Sequence, residues 1–243
     1  MQAVFKSACR AAADLLFPRA CVHCAGPVER GPYQYICPSC TRELQFCTPP
    51  ACKTCGYPFF GAVIAPRECP HCTELAPVFE KGKTLFLAKG PGRSLLHALK
   101  YHQGFYILKD LARMLKDSTH FTDFLRGAVL VPVPLHPTKL RERGFNQSEQ
   151  IAHTLLHNSD AHAIQPLLER KQFTDSQTRL DQKDRMHNVK NAFALSTTAN
   201  LIKDKYYILV DDVFTTGSTL NACARTLRAA GVTHLRAVAI GHG

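Results

Sequence analysis

The sequence predicts an α/β fold, a mainly parallel sheet flanked by helices, preceded by a small cysteine-rich unit. Three observations carry this expectation. Four Cys-x2-Cys pairs crowd the first third of the chain, at Cys21/Cys24, Cys37/Cys40, Cys52/Cys55 and Cys69/Cys72. Beyond them, short apolar runs alternate with stretches of helical period, as strand–helix–strand units require. One run, Tyr207-Ile208-Leu209-Val210, passes straight into Asp211-Asp212, a loop of small hydroxyl residues and an amphipathic helix. An apolar strand bounded in this way suits a parallel sheet, whose strands are buried on both faces.

Taken in order, residues 3–17 have helical spacing, with Val4, Phe5, Ala8, Ala12, Leu15 and Leu16 on one face. A helix within 1–18 that packs on its own protein is expected. Its polar face of Lys6, Arg10 and Asp14 is thin for a membrane binder. The cysteine ladder follows, and its halves, 21–40 and 52–72, look like two copies of one unit. Each Cys-x2-Cys pair aims two thiolates at one ion, and a second pair closes a tetrahedral site. Two structural Zn²⁺ ions are therefore expected, on Cys21, Cys24, Cys37 and Cys40 and on Cys52, Cys55, Cys69 and Cys72. Pairing within each half is favoured over cross-bracing, although spacing alone leaves both open. Disulfides are the rival, but a cytosolic chain keeps its thiols reduced. With few aliphatic residues in the region, metal would supply most of its folding energy, on the order of 10 kcal/mol per site. Cys9, Cys47 and Cys223 are left over, and His23 and His71 fall inside Cys-x2-Cys pairs that need no further ligand. The ribbon unit is expected over 19–78 and the α/β domain over 79–243, with the composition shifting between Pro77 and Gly82.

Residues 83–88 read as a strand, and Gly90-Pro91-Gly92 turns the chain into a helix over 93–102. A second helix, 106–117, follows Gly104. Gly82-Lys83-Thr84 has the tail of a nucleotide P-loop, but Pro77 stands where its first glycine belongs, which excludes that class. A strand over 128–134 leaves through Leu135-His136-Pro137, which forces an extended or turned backbone. Lys139, Arg141 and Arg143 come next, at the C-terminal mouth of a strand, where open α/β sheets bind ligands. They are predicted to face pyrophosphate or a nucleic-acid phosphate. The helix over 148–157 can be capped from Asn146, Gln147 and Ser148. Residues 162–170 suit an edge strand because of Pro166, and 171–191 is polar with no hydrophobic period. A helix over 218–230 stops at Gly231, and 235–240 supplies a last strand. His234 and His242 read as scattered residues, not ligands.

The stretch from Tyr206 to Leu220 carries the chemistry. Small residues let backbone N–H groups close around an anion, hydroxyls add donors, and a helix N-terminus adds its positive end. Two acids directly before such a loop would repel a phosphate unless they serve something else. Ionised carboxylates only accept hydrogen bonds, and sugar hydroxyls can donate them. Asp211 and Asp212 are therefore predicted to hold ribose 2′- and 3′-hydroxyls. Thr215, Thr216, Gly217, Ser218 and Thr219 are predicted to hold the 5′-phosphate. Lys and Arg total 30 against 19 acids, a formal charge of +11. Two zinc tetrathiolates, each a net dianion, leave the chain basic, which favours a polyanionic partner. No stretch approaches the roughly 20 apolar residues that span a bilayer. The first residues lack a continuous apolar core of the kind a secretory signal needs, so a cytoplasmic location is expected.

VDDVFTTGST (210–219) resembles the phosphoribosyl-pyrophosphate (PRPP) motif of type I phosphoribosyltransferases. With HALKYHQG (97–104), VPVPLHPTKLRERGFNQ (131–147) and QTRLDQKDRMHNVKNAF (177–193), the chain from Cys21 onward resembles the ComF/ComFC family of competence proteins. The resemblance implies a type I phosphoribosyltransferase-like fold and PRPP as ligand, with Mg²⁺ carried mostly by its pyrophosphate. It implies that 171–191, with Arg170, Lys171, Arg179, Lys183, Arg185 and Lys190, is a loop that closes over the site. It implies a factor that binds single-stranded DNA and helps carry incoming DNA across the inner membrane. Such a factor would sit peripherally there, beside motor and channel proteins. Tyr101, Phe105, Tyr106 and Phe145 are candidates to line a DNA groove, although core packing is expected for most. The alternative is a metabolic enzyme that moves ribose 5-phosphate from PRPP to a base or amine. Catalysis would then rest on charge stabilisation and water exclusion, with no catalytic residue assigned.

Overall fold

The computed structural model describes residues 19–29, 31–61, 67–101, 104–171, 192–202 and 205–243. The expected helix over 3–17 lies outside them, as do Cys9 and Arg179, Lys183, Arg185 and Lys190 of the polar segment.

Two short helices, α1 (Pro38–Glu43) and α2 (Pro70–Leu75), each begin with proline immediately after a cysteine. Proline suits that first position because its missing N–H has no partner there anyway. Strand β1 (Gly82–Leu87) leads into α3 (Gly90–Tyr101), α4 (Ile107–Lys116) and α5 (Thr119–Thr122). Then come β2 (Val129–Pro132), α6 (Pro137–Arg143), α7 (Gln147–His157), β3 (Ala163–Ile164), β4 (Leu168–Arg170) and β5 (Phe193–Leu195). The chain finishes with β6 (Tyr207–Phe214), α8 (Ser218–Ala229) and β7 (Leu235–His242).

Five strands form one parallel sheet in the order β1-β7-β6-β2-β3. β6 is its centre. From β6 the chain passes to β7 on one side, whereas from β2 it passes to β3 on the other. The order thus reverses between β6 and β2, and the crevice beyond the carboxyl ends of those strands is where open α/β sheets take ligands. One core packs Ile208 and Val210 against α3, α4, α7 and the first cysteine cluster. The other packs Leu209, Val129 and Val131 against α8, the β4–β5 pair and the second cluster.

Several boundaries differ from the sequence reading. Helix α3 starts at Gly90, so the glycine–proline turn is its first turn, where proline is tolerated. Gly92 is needed there because a Cβ would stand 2.3 Å from the Leu87 carbonyl oxygen. The exit after β2 contains a helix, α6, that the proline pattern hid. Pro137 starts it, the His136 ring accepts from Thr138 N, and Gly144 ends it at φ +80°. The expected single strand over 162–170 is two, broken at Pro166. β3 edges the main sheet, and β4 pairs antiparallel with β5, which the sequence reading did not find. β6 extends four residues past Val210 and carries both acids within the ladder.

Candidate functional site

Strand β6 delivers Asp211 and Asp212 to the crevice, both buried. Alternation along a strand sends neighbours to opposite faces, and here the two carboxylates go different ways. Asp211 Oδ1 accepts from Ser148 Oγ, in the first turn of α7, at 3.0 Å, and from the Asp212 amide at 2.9 Å. Asp212 Oδ2 meets Lys100 Nζ, near the end of α3, at 2.6 Å. Burial pushes the Asp211 carboxyl up to about 7, and the Asp212 charge adds to the rise. The Asp212 amide, Lys100 and Ser148 pull the other way. A buried acid pair, one member of which is held by a lysine, can accept hydrogen bonds from a diol.

Past Phe214 the chain turns through Thr215 and Thr216 to Gly217, the N-cap of α8, at φ +67°. Left-handed backbone favours glycine, and space demands it as well. A Cβ there would lie 2.5 Å from Phe214 Cζ and 2.7 Å from Leu75 Cδ2. Thr216 Oγ1 and Ser218 Oγ are 2.9 Å apart, so two hydroxyls share the mouth of the helix. Ser218 and Thr219 form the first turn of α8, as the helix expected over 218–230 requires. Their place suits an anion site, because the amides of a first turn have no partners inside the helix.

The basic residues after β2 divide. Arg143 lies with its guanidinium 5.7 Å from the centre of the Tyr101 ring and donates to Gln147. Lys139 pairs with Glu142 at 2.8 Å, and Arg141 is exposed on α6. Of the four aromatic candidates, Tyr101 is 63% exposed and Phe105 40%, whereas Phe145 is buried against Phe105 and Tyr106 packs on Tyr35. Arg170 is a residue of β4 and lies over the Phe193 ring, so it belongs to the fold and not to the polar segment after it.

The cysteines gather as two sets within the halves, Cys21, Cys24, Cys37, Cys40 and Cys52, Cys55, Cys69, Cys72, each set with its sulfurs within 4.8 Å of one another. Cross-bracing is not what the fold builds. Cys24 and Cys37 sulfurs are 3.7 Å apart, and those of Cys55 and Cys69 are 3.8 Å apart. A tetrahedron of thiolates about 2.3 Å from a zinc ion has edges of about 3.8 Å, whereas a disulfide needs about 2.05 Å. The donor sets fit zinc. Cys47 and Cys223 are buried and outside both sets. His242, read from sequence as incidental, has its Nε2 3.3 Å from Cys55 Sγ and its ring stacked on Phe214.

Lys100, Ser148 and His71 are the site residues that sequence reasoning missed. Lys100 sits in HALKYHQG and Ser148 directly follows RERGFNQ, so the signal was a motif without an assigned role. His71 carried no such signal: its Nε2 lies 2.9 Å from the Thr216 carbonyl oxygen, 145 residues away.

A family model described as a phosphoribosyl transferase domain matches residues 103–241, more than half the chain. A second, described as a double zinc ribbon domain, matches residues 12–73. Competence protein F of Haemophilus influenzae is 29% identical over 220 residues, covering 89% of this chain and 93% of that protein. DNA utilization protein YhgH of Escherichia coli is 29% identical over 217 residues, covering 88% and 92%. Competence protein ComFC of Bacillus subtilis is 26% identical over 199 residues, covering 81% and 79%. A hypoxanthine phosphoribosyltransferase from Staphylococcus aureus overlays 54% of the chain and 62% of its own length, with 16% identity and a TM-score of 0.34. That likeness is too slight to bear on function.

Proposed function

Since the chain belongs to the phosphoribosyl transferase domain family, we propose that it binds PRPP with Mg²⁺, binds single-stranded DNA, and acts in the uptake of DNA. The observation that carries the first part is the run β6–loop–α8. Two buried acids in the second half of the strand precede a glycine-capped helix whose first amides are free of intrahelical partners. In this reading Asp211 and Asp212 accept from the ribose 2′- and 3′-hydroxyls, and residues 215–219 hold the 5′-phosphate. Mg²⁺ supplies charge neutralisation at the pyrophosphate, where few protein carboxylates are needed. Lys100 must yield Asp212 to the ribose, and its ammonium is then free to face the pyrophosphate. The role in DNA uptake is supported by the names of the relatives, Competence protein F and DNA utilization protein YhgH. The basic chain, the exposed Tyr101 beside Arg143 and the exposed Phe105 favour a single strand as the polyanion.

Isothermal titration with PRPP and Mg²⁺ tests the site. The intact chain is expected to bind, and Asp212→Ala to bind at least about tenfold more weakly, the loss of a charged hydrogen-bond acceptor. Equal binding by both rejects the assignment. Transfer of ribose 5-phosphate to a base or amine, with nucleotide pools disturbed when the gene is deleted and DNA uptake unaffected, would favour the metabolic alternative.

A further inference from the structure

We propose that the second cysteine cluster is a positioning element for the phosphate loop, acting through His71 and Leu75, and that the first cluster is not. The inference rests on the phosphoribose reading of residues 211–219.

Helix α2 begins at Pro70, directly after Cys69, and Cys72 lies in its first turn. Two thiolates of one cluster therefore bracket His71, so an ion held by that cluster fixes the backbone from which His71 projects. A carbonyl oxygen only accepts, so the 2.9 Å contact has His71 Nε2–H donating to Thr216. The peptide plane carries the consequence one bond further. With the Thr216 carbonyl drawn to the ribbon, the Gly217 N–H of the same planar unit points the opposite way, away from the ribbon. This is the amide at the mouth of α8 that an anion would meet first. Leu75, the last residue of α2, closes the other side, since its Cδ2 lies 2.7 Å from where a Gly217 Cβ would stand. Asn221, in the first turns of α8, completes the joint. Its Oδ1 accepts from Val78 N at 3.0 Å, and its Nδ2 donates to the Leu75 carbonyl at 3.5 Å. One six-residue helix thus meets the loop through a hydrogen bond, a van der Waals wall and a tie to the following helix.

The first cluster offers a built-in contrast. His23 has the place in Cys21-x2-Cys24 that His71 has in Cys69-x2-Cys72. Its Nδ1 lies 3.0 Å from Ser94 Oγ on α3, and the chain beyond it docks on α4, where Asp110 accepts from Gln34 N and Tyr35 N at 2.7 and 2.9 Å. The two ribbons share a construction and serve different neighbours.

The test uses the full chain with its metal, titrated calorimetrically with PRPP and Mg²⁺, alongside zinc analysis and a thermal melt. His71→Leu is expected to weaken binding about fivefold to tenfold, the loss of one positioning hydrogen bond, with zinc content unchanged. His71→Gln, which keeps a donor at the same reach, should recover most of it, and His23→Leu should bind as the parent does. Should His71→Leu lose zinc, Leu75→Ala decides: weakened binding supports the proposal and unchanged binding overturns it. Binding by a zinc-loaded His71→Leu equal to the parent, or an equal loss in His23→Leu, overturns it too. No binding by the parent chain overturns the phosphoribose reading, and this inference with it.

Discussion

Asp211 is a carboxyl held away from water between a like charge and a hydroxyl, and its titration has a definite sign. Its folded value, about 7, lies above the ordinary 3.8. A raised carboxyl contributes stability below its unfolded value and loses that contribution as pH rises through the folded one. The chain should therefore be more stable to urea at pH 5.5 than at pH 8, and Asp211→Asn should flatten that difference. A slope unchanged by the substitution would assign it to other groups. Lys100 offers a second test, because Lys100→Met leaves the Asp212 charge buried without its partner. A loss of about 1–3 kcal/mol is expected, smaller than for a fully buried pair because the lysine is partly exposed. The sequence was readable where chemistry is local. The eight cysteines declare themselves by spacing, and the role proposed for Asp211 and Asp212 draws on their place between a buried strand and a small-residue loop. Lys100, Ser148 and His71 act across gaps of 112, 63 and 145 residues, and no local pattern specifies such contacts.

Among the elements, the junction between β6 and α8 is the least forgiving. Gly217→Ala must place a methyl within 2.5 Å of the Phe214 ring at a left-handed φ. A cost of about 2 kcal/mol or more and loss of PRPP binding are expected, measured by urea melts and calorimetry. Helix α6 can be tested apart from that site. If it contacts a single strand, Arg141→Ala should lower the slope of log K against log salt by about 0.7, with PRPP affinity unchanged. An unchanged slope removes Arg141 from the interface. Strands with continuous apolar runs were legible, as were α4 and the Asn146-capped α7, whose cap accepts from Ser148 N at 3.1 Å. Helix α6 was hidden because Pro137, after Pro132 and Pro134, reads as a turn residue, although it is a helix start. β5 was hidden because three residues give no period, and its partner β4 comes from a run that Pro166 divides.

For the whole molecule, the cysteine clusters are built into the two cores that flank the sheet. Cys21, Cys37 and Cys40 pack with Leu85, Ile208 and Val210, and Cys52, Cys55, Cys69 and Cys72 pack with Leu209, Ala237 and Ala239. Metal analysis should find two zinc ions per chain, and removing them with a strong chelator should lower the melting temperature of the entire chain in one transition. Among the described residues no helix is long and apolar enough to cross a membrane. Topology explains why motifs distant in the sequence meet at the candidate site. The strand order reverses between β6 and β2, so the motifs that follow those two parallel strands leave the same edge of the sheet side by side. Whether the mouth of β6 and α8 is a phosphoribose site is decided by a crystal structure with PRPP and Mg²⁺. The 5′-phosphate is expected on the amides of residues 215–219 and the ribose hydroxyls within hydrogen-bond distance of Asp211 and Asp212. A phosphorylated pentose bound elsewhere, or a crevice that stays closed around Lys100 and Asp212 at saturating ligand, would contradict it.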